Sequence, residues 1–369
     1  MSARTIGIFF DIAIYLIVVI IFYRNLKSPR YKLTKVSHLL VFFLLLIFCL
    51  FPYFSGDYFH NMEGYYYVLK GEGTSVEDIY SLIANVVGEN YTLFRMVTWG
   101  VSLFLVFRAF KRLDVSTDLC LMCFAILGIL KFSYARVSIA MALMFYGLSW
   151  LIKPNKKILI PSLLWGLIMI AVSYFFHKSA LFGIAIIVLT LLIGNINNRI
   201  KQFLLLLSLP LFLALMRYLM FNFTDILDIS EDNLLFGQTT FELYTEAREG
   251  TAGTGQMIEN ILNRVPIYLA AFLGIKVIYK RNIRKKSIRV FSSAFILIVL
   301  ISSLFLFDFM DLNTYVFYYR CLNFSFIPMA VLVAYCYQKR LERNLVSLIL
   351  GLGIVGAMYQ MLYSAYIAD

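Results

Sequence analysis

Apolar runs of roughly 17 to 23 residues recur from one end of this chain to the other, and that length matches the helix needed to cross about 30 Å of hydrocarbon. Strands of a membrane barrel would instead alternate apolar and polar residues, and these runs do not alternate. A helix also satisfies all of its own backbone hydrogen bonds inside lipid. The sequence therefore predicts an all-α, polytopic integral membrane protein.

Composition supports this prediction, because 61% of the residues are hydrophobic, 15% are charged and the mean hydropathy is +0.81. Soluble domains are much more balanced. We predict one membrane domain over residues 1–369 with about twelve spans. The spans cover residues 5–23, 36–54, 91–110, 119–132, 137–152, 158–176, 180–193, 202–220, 265–279, 290–307, 321–337 and 346–367. Segments 119–132 and 180–193 are short, so each either crosses the membrane or re-enters it.

The charged residues indicate the orientation of the spans. A net charge of +12 suggests nucleic acid, but the bases fall in short clusters between spans, as in KRNIRKKSIR at 280–289, and no soluble domain presents them. Such clusters mark cytoplasmic loops. Residues 55–90 hold six acids and one base, and residues 221–264 hold eight acids and two bases. These two segments are predicted to be the larger outer loops, and nucleic acid is not expected as a partner.

A few basic residues break this pattern and map to the outer ends of spans. An arginine at the membrane edge is costly without an anionic partner, and converging guanidinium groups suit phosphate or diphosphate. The alternative is that these side chains snorkel to the interface. Arg95 falls among these exceptions. The residues chosen as a diphosphate site are Arg136, Lys178, Arg264 and Arg320.

One histidine accompanies these bases. Arg136 begins the span 137–152, and His177 ends the next span in FFHKSALF. If the two spans form an antiparallel pair, both residues lie at one depth near one membrane face. An imidazole titrates near neutral pH and is able to take a proton from a hydroxyl. His177, or else Asp57, is therefore the candidate general base; the alternative is a structural or solvated histidine.

The outer segments also carry groups suited to sugars. Tyrosines stack on sugar rings, and acids and histidines bind hydroxyl groups through hydrogen bonds. The acids show no metal-binding spacing, so neither a metal site nor a cofactor is predicted. The sugar-binding candidates are His60, Tyr66, Tyr244, Asp308 and Asp311.

Several short motifs, taken in order, resemble a known family. They are GDYFHNMEGYY after the second span, a helical segment ending in NYTLF, the Arg136 turn into a span rich in small residues, FFHKSALF, and YYRCLNFSFIP near residue 320. This order resembles the EpsG family of polysaccharide polymerases, which is grouped with Wzy-type O-antigen and capsule polymerases. The family's polar positions correspond to Gly56, Asp57, Arg136, His177 and Arg320.

The resemblance implies a membrane glycosyltransferase of GT-C-like architecture in the bacterial inner membrane. Such proteins join oligosaccharide repeat units, carried on undecaprenyl diphosphate, into O-antigen, capsule or exopolysaccharide at the outer face. The lipid bilayer and a chain-length regulator protein are implied partners. Three alternatives stay open: a repeat-unit flippase or other transporter, an O-antigen ligase, and a membrane O-acyltransferase. Polar groups that gather on one face favour surface chemistry over translocation.

Overall fold

The computed structural model describes residues 2–27, 35–70, 78–134, 136–153, 158–196, 198–211, 254–280, 283, 285–304 and 321–368. Within these ranges every regular element is a helix. In chain order the helices are α1 Ala3–Lys27, α2 Lys35–Leu50, α3 Gly56–Leu69, α4 Asp78–Val87, α5 Tyr91–Arg112, α6 Thr117–Leu127, α7 Ile129–Tyr134, α8 Val137–Ile152, α9 Leu159–Phe176, α10 Ala180–Gly194, α11 199–211, α12 Thr254–Lys280, α13 Lys286–Leu304, α14 Phe326–Gln338 and α15 Arg343–Ala368.

Seven stretches in the described residues are long and apolar enough to cross a membrane. They lie in α1, α5, α9, α12, α13, α15 and the segment Cys321–Gln338 that contains α14. Shorter apolar helices occupy α2, α6, α8 and α10. The prediction of an all-α, multi-pass membrane protein is confirmed, whereas the number of about twelve spans stays a prediction.

Several predicted boundaries differ from the observed helices, and the second and ninth spans are two examples. Helix α2 ends at Leu50 rather than at residue 54, because Pro52 lacks an N–H and restricts the residue before it. Helix α12 begins at Thr254, inside the predicted outer loop 221–264, and continues through Pro266. Part of that loop is therefore a helical extension of the ninth span.

Loops that were predicted to be cytoplasmic meet at one end of the helix bundle, here called the inner end. The Asp114 carboxylate after α5 accepts hydrogen bonds from Lys153 Nζ and Ser287 Oγ, each at 2.9 Å, and Lys285 Nζ donates to its carbonyl oxygen at 3.1 Å. Partial burial acts to raise the pKa of Asp114, but the bonds from Lys153 and Ser287 and the nearby cations outweigh it and lower the pKa. The Asp114 contacts thus join the ends of α5, α8 and α13.

The opposite end, here called the outer end, carries α3 and α4 and the start of α1. Arg4 Nε donates to the carbonyl oxygen of Tyr53 at 3.5 Å, which ties α1 to the turn after α2. The buried Asp11 carboxylate accepts from the Phe54 backbone N–H at 3.3 Å and holds the same turn. The two predicted faces of the molecule therefore correspond to two distinct ends of the bundle.

The sequence also predicts an amphipathic helix on the membrane surface, or an ordinary surface helix over the core, at this point of the chain. Its apolar stripe is Val76, Ile79, Ile83 and Val86 or Val87, which recur at helical spacing. Helix α4 is observed there, and Val76 lies outside the described residues. Tyr80 and Ala84 are buried, and Ile79, Ile83 and Val87 of the predicted apolar stripe are partly buried against the core, whereas Val86 is 82% exposed. The helix therefore packs on the bundle through the predicted apolar face and the adjoining positions Tyr80 and Ala84, and Tyr80 contacts the candidate site.

Candidate functional site

Helices α8 and α9 form a tightly packed antiparallel pair. A Cβ atom added to Gly147 would lie 2.5 Å from the backbone oxygen of Gly166, and one added to Gly166 would lie 2.9 Å from that of Gly147. Only glycine allows such a close approach of two backbones. Gly147 lies eleven residues after Arg136, and Gly166 lies eleven residues before His177. With an equal rise per residue on both helices, Arg136 and His177 reach the same height at the outer end.

Helix α4 contacts both members of this pair through one side chain. The Tyr80 hydroxyl donates to the Arg136 backbone oxygen at 3.4 Å, and the Tyr80 ring meets the Phe176 ring edge-on at 5.7 Å. Phe176 immediately precedes His177. Tyr80 therefore bridges the segment that carries the arginine and the segment that carries the histidine.

His177 ends α9 in extended backbone and is held by the turn that starts α10. Its Nδ1 atom accepts the Ser179 backbone N–H at 3.2 Å and lies 2.6 Å from Ser179 Oγ. A ring nitrogen that accepts a hydrogen bond carries no proton, so the proton of the neutral ring resides on Nε2. In this tautomer Nε2–H is a donor. Lys178 is exposed beside it.

Arg95 lies in the first turns of α5 and is fully buried, with 0% of its surface exposed. Its guanidinium donates to the backbone oxygens of Cys49, near the end of α2, and of Ser133, near the end of α7. The guanidinium also stacks on the Trp99 ring at 4.0 Å. Within the described residues no carboxylate pairs with Arg95. The C-terminal ends of α2 and α7 carry partial negative charge, which offsets the positive charge of its guanidinium.

The same pair of α5 residues holds the backbone that leads to Arg136. Trp99 Nε1 donates to the Phe132 backbone oxygen at 3.0 Å, next to the Ser133 oxygen bound by Arg95. A π-helical turn at Met96–Gly100 begins directly after Arg95 and contains Trp99. Such turns often occur at functional sites. Helix α5 therefore fixes the end of α7 just before the arginine.

An open cleft of about 460 Å³ lies at the outer end beside this region. One wall is a stripe of α3 side chains spaced four residues apart, and the other is the turn into α5. The lining residues are Tyr58, Met62, Tyr66, Glu89, Asn90, Tyr91 and Thr92.

Local backbone features shape this cleft. Gly88 adopts a φ of +73° in the turn between α4 and α5, a conformation that favours glycine. The Tyr65 hydroxyl donates to the Gly88 carbonyl, and Asn90 Oδ1 caps α5 by accepting the Leu93 N–H at 2.9 Å. These bonds set the turn against α3. Burial raises the pKa of Tyr58 to about 12, although the charge of Arg95 opposes this rise. Tyr58 therefore stays a hydroxyl donor at neutral pH.

Aromatic rings connect the cleft to the arginine and histidine. The Tyr91 ring stacks on Phe94 with centroids 6.0 Å apart, and Phe94 packs against Tyr80 at 6.1 Å. The positive charge of Arg136 also acts on the Tyr91 phenol. The cleft and the Arg136–His177 pair are therefore neighbouring parts of one region.

A family model describes most of the chain. The EpsG family model matches residues 58–368, from the first cleft residue to the end of the last helix. The chain belongs to the EpsG family. No curated protein and no solved structure matches it. The resemblance predicted from the motifs is therefore confirmed, and the matched range of this EpsG protein includes Arg136, His177 and the cleft.

The other predicted site residues of the EpsG protein divide into those with a described position and those without. Arg264 is half-buried on α12, beside Asn263, which donates to Gln360 of α15 at 3.3 Å. His60 is exposed on α3, outside the cleft lining. Asp57 lies in the first turn of α3, and its side chain is outside the described part. Outside the described residues altogether are Arg320, Tyr244, Asp308 and Asp311.

Sequence reasoning selected Tyr66 but missed most of the cleft. The spacing of Tyr58, Met62 and Tyr66 was a visible signal, because positions i, i+4 and i+8 share one helix face. The Gly-Glu-Asn turn at 88–90 was a second signal, since glycine and a capping asparagine mark a helix start. Within the described residues, no group of three or more His, Cys, Asp or Glu side chains is placed to hold a metal ion.

Proposed function

We propose that this EpsG protein polymerises oligosaccharide repeat units carried on undecaprenyl diphosphate, at the outer face of the bacterial inner membrane. The product would be O-antigen, capsule or exopolysaccharide. Family membership supports a role as a polysaccharide polymerase. The observation that carries the proposal is that the glycine-packed helix pair brings Arg136 and His177 to the same end of the bundle.

In the proposed reaction, an acceptor hydroxyl attacks the anomeric carbon of the donor unit. A new glycosidic bond forms, the bond between that carbon and the diphosphate oxygen breaks with inversion, and lipid diphosphate departs with the bonding electrons. Arg136 would bind the diphosphate as a fork of donors and offset its growing charge, an interaction that often contributes most to the rate in such sites. Arg264, Arg320 and Lys178 are the additional candidates for this role.

The proton of the acceptor hydroxyl requires a base. His177 was the first candidate from sequence, but its Nδ1 atom already accepts from Ser179. The neutral ring is therefore arranged to donate through Nε2, and we assign it to an oxygen of the departing diphosphate. Proton removal then falls to the second candidate, Asp57. The spacing of acids in the sequence supports a metal-independent reaction.

The proposal is tested by the surface glycans of a deletion strain complemented with point variants. Arg136→Ala and His177→Ala should each abolish long polymer, while the protein inserts normally and single lipid-linked units accumulate on the outer leaflet. Electrophoresis of the glycans and leaflet-specific analysis of the lipid-linked units provide the readout. Arg108→Ala is the matched control, because Arg108 is an exposed arginine near the inner end of α5.

Three outcomes would overturn the proposal, each in favour of one alternative. Lipid-linked units that accumulate on the cytoplasmic leaflet indicate a flippase. Full-length polymer that stays on its lipid carrier indicates a ligase. Polymer of normal length that lacks an ester-linked acyl group indicates an O-acyltransferase.

A chain-length regulator is the protein partner that the same proposal includes. Such a regulator would change the distribution of polymer lengths without changing the bond formed. Its absence should therefore broaden the glycan ladder and leave the linkage intact.

A further inference from the structure

The cleft at the outer end has the chemistry of a glycan site rather than a phosphate site. Three of its seven lining residues are tyrosines, and the others include a carboxylate, an amide and a hydroxyl. None of the seven is basic. We propose that this cleft binds sugar rings of the acceptor glycan, while the neighbouring Arg136–His177 pair takes the diphosphate of the donor. This inference rests on the proposed function and adds to it the place of the acceptor.

The tyrosines provide the surface for stacking. A sugar ring presents one face of C–H groups that packs on an aromatic ring, and a phenol adds a polar hydroxyl at the edge of that apolar surface. Tyr58 and Tyr91 are buried and form fixed walls, whereas Tyr66 is 40% exposed at the rim. Rigid aromatic walls with an accessible tyrosine at the rim suit an extended, neutral glycan chain.

The polar residues provide the hydrogen bonds. Asn90 uses its carbonyl oxygen to cap α5, so its amide NH₂ group supplies donors for a ligand. Glu89 is exposed and accepts hydrogen bonds from hydroxyl groups. Tyr58 keeps its proton at neutral pH for the reason given above and adds a further donor.

Charge decides between a sugar and a diphosphate in this cleft. The α5 helix begins at the cleft wall, and a helix N-terminus by itself favours an anion. Glu89 opposes that preference, because its carboxylate would repel a diphosphate within the same small space. Arg136 lies beyond Tyr91 and Phe94, on the other side of the aromatic rings. The arrangement separates a subsite whose lining holds no basic residue from a neighbouring cationic one.

The cleft is also large enough for this role. Its volume of about 460 Å³ falls within the roughly 300–1,000 Å³ usual for small-molecule sites. Because the cleft is open, a chain longer than the bound segment is able to continue into solvent. A polymerase needs such an opening, since one of its two substrates is a growing chain.

Binding of a lipid-free glycan tests this inference without requiring turnover. The probe is a mixture of oligosaccharides released by partial acid hydrolysis of the strain's own surface polysaccharide. The purified full chain in lipid nanodiscs should bind it, as measured by calorimetry. Tyr66→Ala should weaken binding about fivefold or more, by the usual strength of an aromatic contact. Tyr66→Phe keeps the ring and should retain most of the affinity.

Two further measurements use the same probe. Glu89→Gln keeps the shape of the side chain and should weaken binding while removing the negative charge. Tyr23→Ala is the matched control, because Tyr23 is an exposed tyrosine near the inner end of α1, far from the cleft. This variant should bind the oligosaccharides as tightly as the wild type does. Inorganic diphosphate, added in excess, should not displace the oligosaccharides from the wild-type protein.

The inference is overturned if Tyr66→Ala and Glu89→Gln bind the oligosaccharides as tightly as the wild type. It is also overturned if inorganic diphosphate displaces them, since the cleft would then be the anion site. Either result leaves the proposed polymerase activity intact. Failure of that activity would instead appear as unchanged polymer in the deletion strain, which is measured separately.

Discussion

At the scale of single residues, Arg95 shows how the structure assigns a role that the sequence left open. Its position at an outer helix end was compatible with a snorkelling side chain or with a ligand site. Instead, the guanidinium is completely buried and donates to the ends of α2 and α7. A single sequence does not show which distant carbonyl groups surround a side chain, so this contact was not predictable.

Replacement of Arg95 should destabilise the protein and displace Arg136. In Arg95→Met the carbonyl oxygens of Cys49 and Ser133 lose their donor, at a cost of about 1–3 kcal/mol for each buried orphan. Arg95→Lys keeps the charge but lacks the planar fork, so it should recover only part of the stability. The loss of stability is measured as a lower melting temperature in detergent, with intrinsic fluorescence as the signal of unfolding.

Arg108 is exposed, and Arg108→Ala serves as the control for these variants. Its free energy of unfolding should lie within about 0.5 kcal/mol of the wild-type value. A wild-type melting temperature in Arg95→Met would show that the buried guanidinium does not hold α2 and α7 together.

The residues around the outer cleft had a weaker sequence signal than Arg136 and His177. A tyrosine-rich stretch next to a membrane span is typical of the interfacial belt that any membrane protein carries. Tyrosines on α3 form one wall of a binding site, rather than part of the interfacial belt, only if a second segment of the chain faces them. That segment is the Gly88 turn, twenty or more residues later, and its approach depends on the tertiary fold.

At the scale of helices, the pair α8 and α9 was the best-predicted part of the chain. Their observed bounds match the predicted spans 137–152 and 158–176 within one residue at each end. The short basic turn between them favours an antiparallel arrangement, and apolar length fixes their ends. Sequence alone did not predict that Gly147 and Gly166 would meet, because a close helix crossing depends on both helices at once.

A larger residue at this crossing should separate the two helices. The Cβ of Gly147→Ala would lie 2.5 Å from a backbone oxygen that has no freedom to rotate away. We expect a destabilisation of about 1–3 kcal/mol, the usual cost of overpacking. Polymer formation should fall as well, since Arg136 and His177 would move apart. Melting temperature and the glycan ladder are the two readouts.

A glycine on another helix provides the matched control. Gly351→Ala lies within α15, and apart from the adjacent residues and the helix's own backbone no atom lies within 4 Å of the added Cβ. It should be neutral or stabilise the protein by up to about 1 kcal/mol, because alanine favours a helix. Equal stability of the two alanine variants would contradict the proposed close crossing.

Irregular helices limited the prediction of other elements. Helix α5 contains a π turn, and the fourth predicted span is divided into α6 and α7 at Gly128. Neither interruption changes the apolar pattern from which the spans were predicted. Interruptions of this kind are stabilised by contacts with neighbouring helices, such as the Arg95 and Trp99 hydrogen bonds to the end of α7.

At the scale of the whole molecule, the two ends of the bundle differ in chemistry. The inner end joins its loops through ion pairs and hydrogen bonds around Asp114, whereas the outer end carries aromatic rings, the cleft and the Arg136–His177 pair. Charge bias along the sequence predicted this division, because it depends only on which loops are basic. The number of spans depends on individual helix lengths and was less predictable.

A reconstituted reaction tests directly whether the outer end transfers glycan units from a lipid diphosphate, as we propose. Purified chain in liposomes is given undecaprenyl-diphosphate-linked repeat units, and the released lipid diphosphate is counted against the glycosidic bonds formed. One released diphosphate per bond is expected for the wild type and for Arg108→Ala. Arg136→Ala should be slower by about 100-fold or more, as for the loss of other preorganised donors. No release by the wild type would rule out this transfer, and release by Arg136→Ala at the wild-type rate would rule out the role of Arg136 in it.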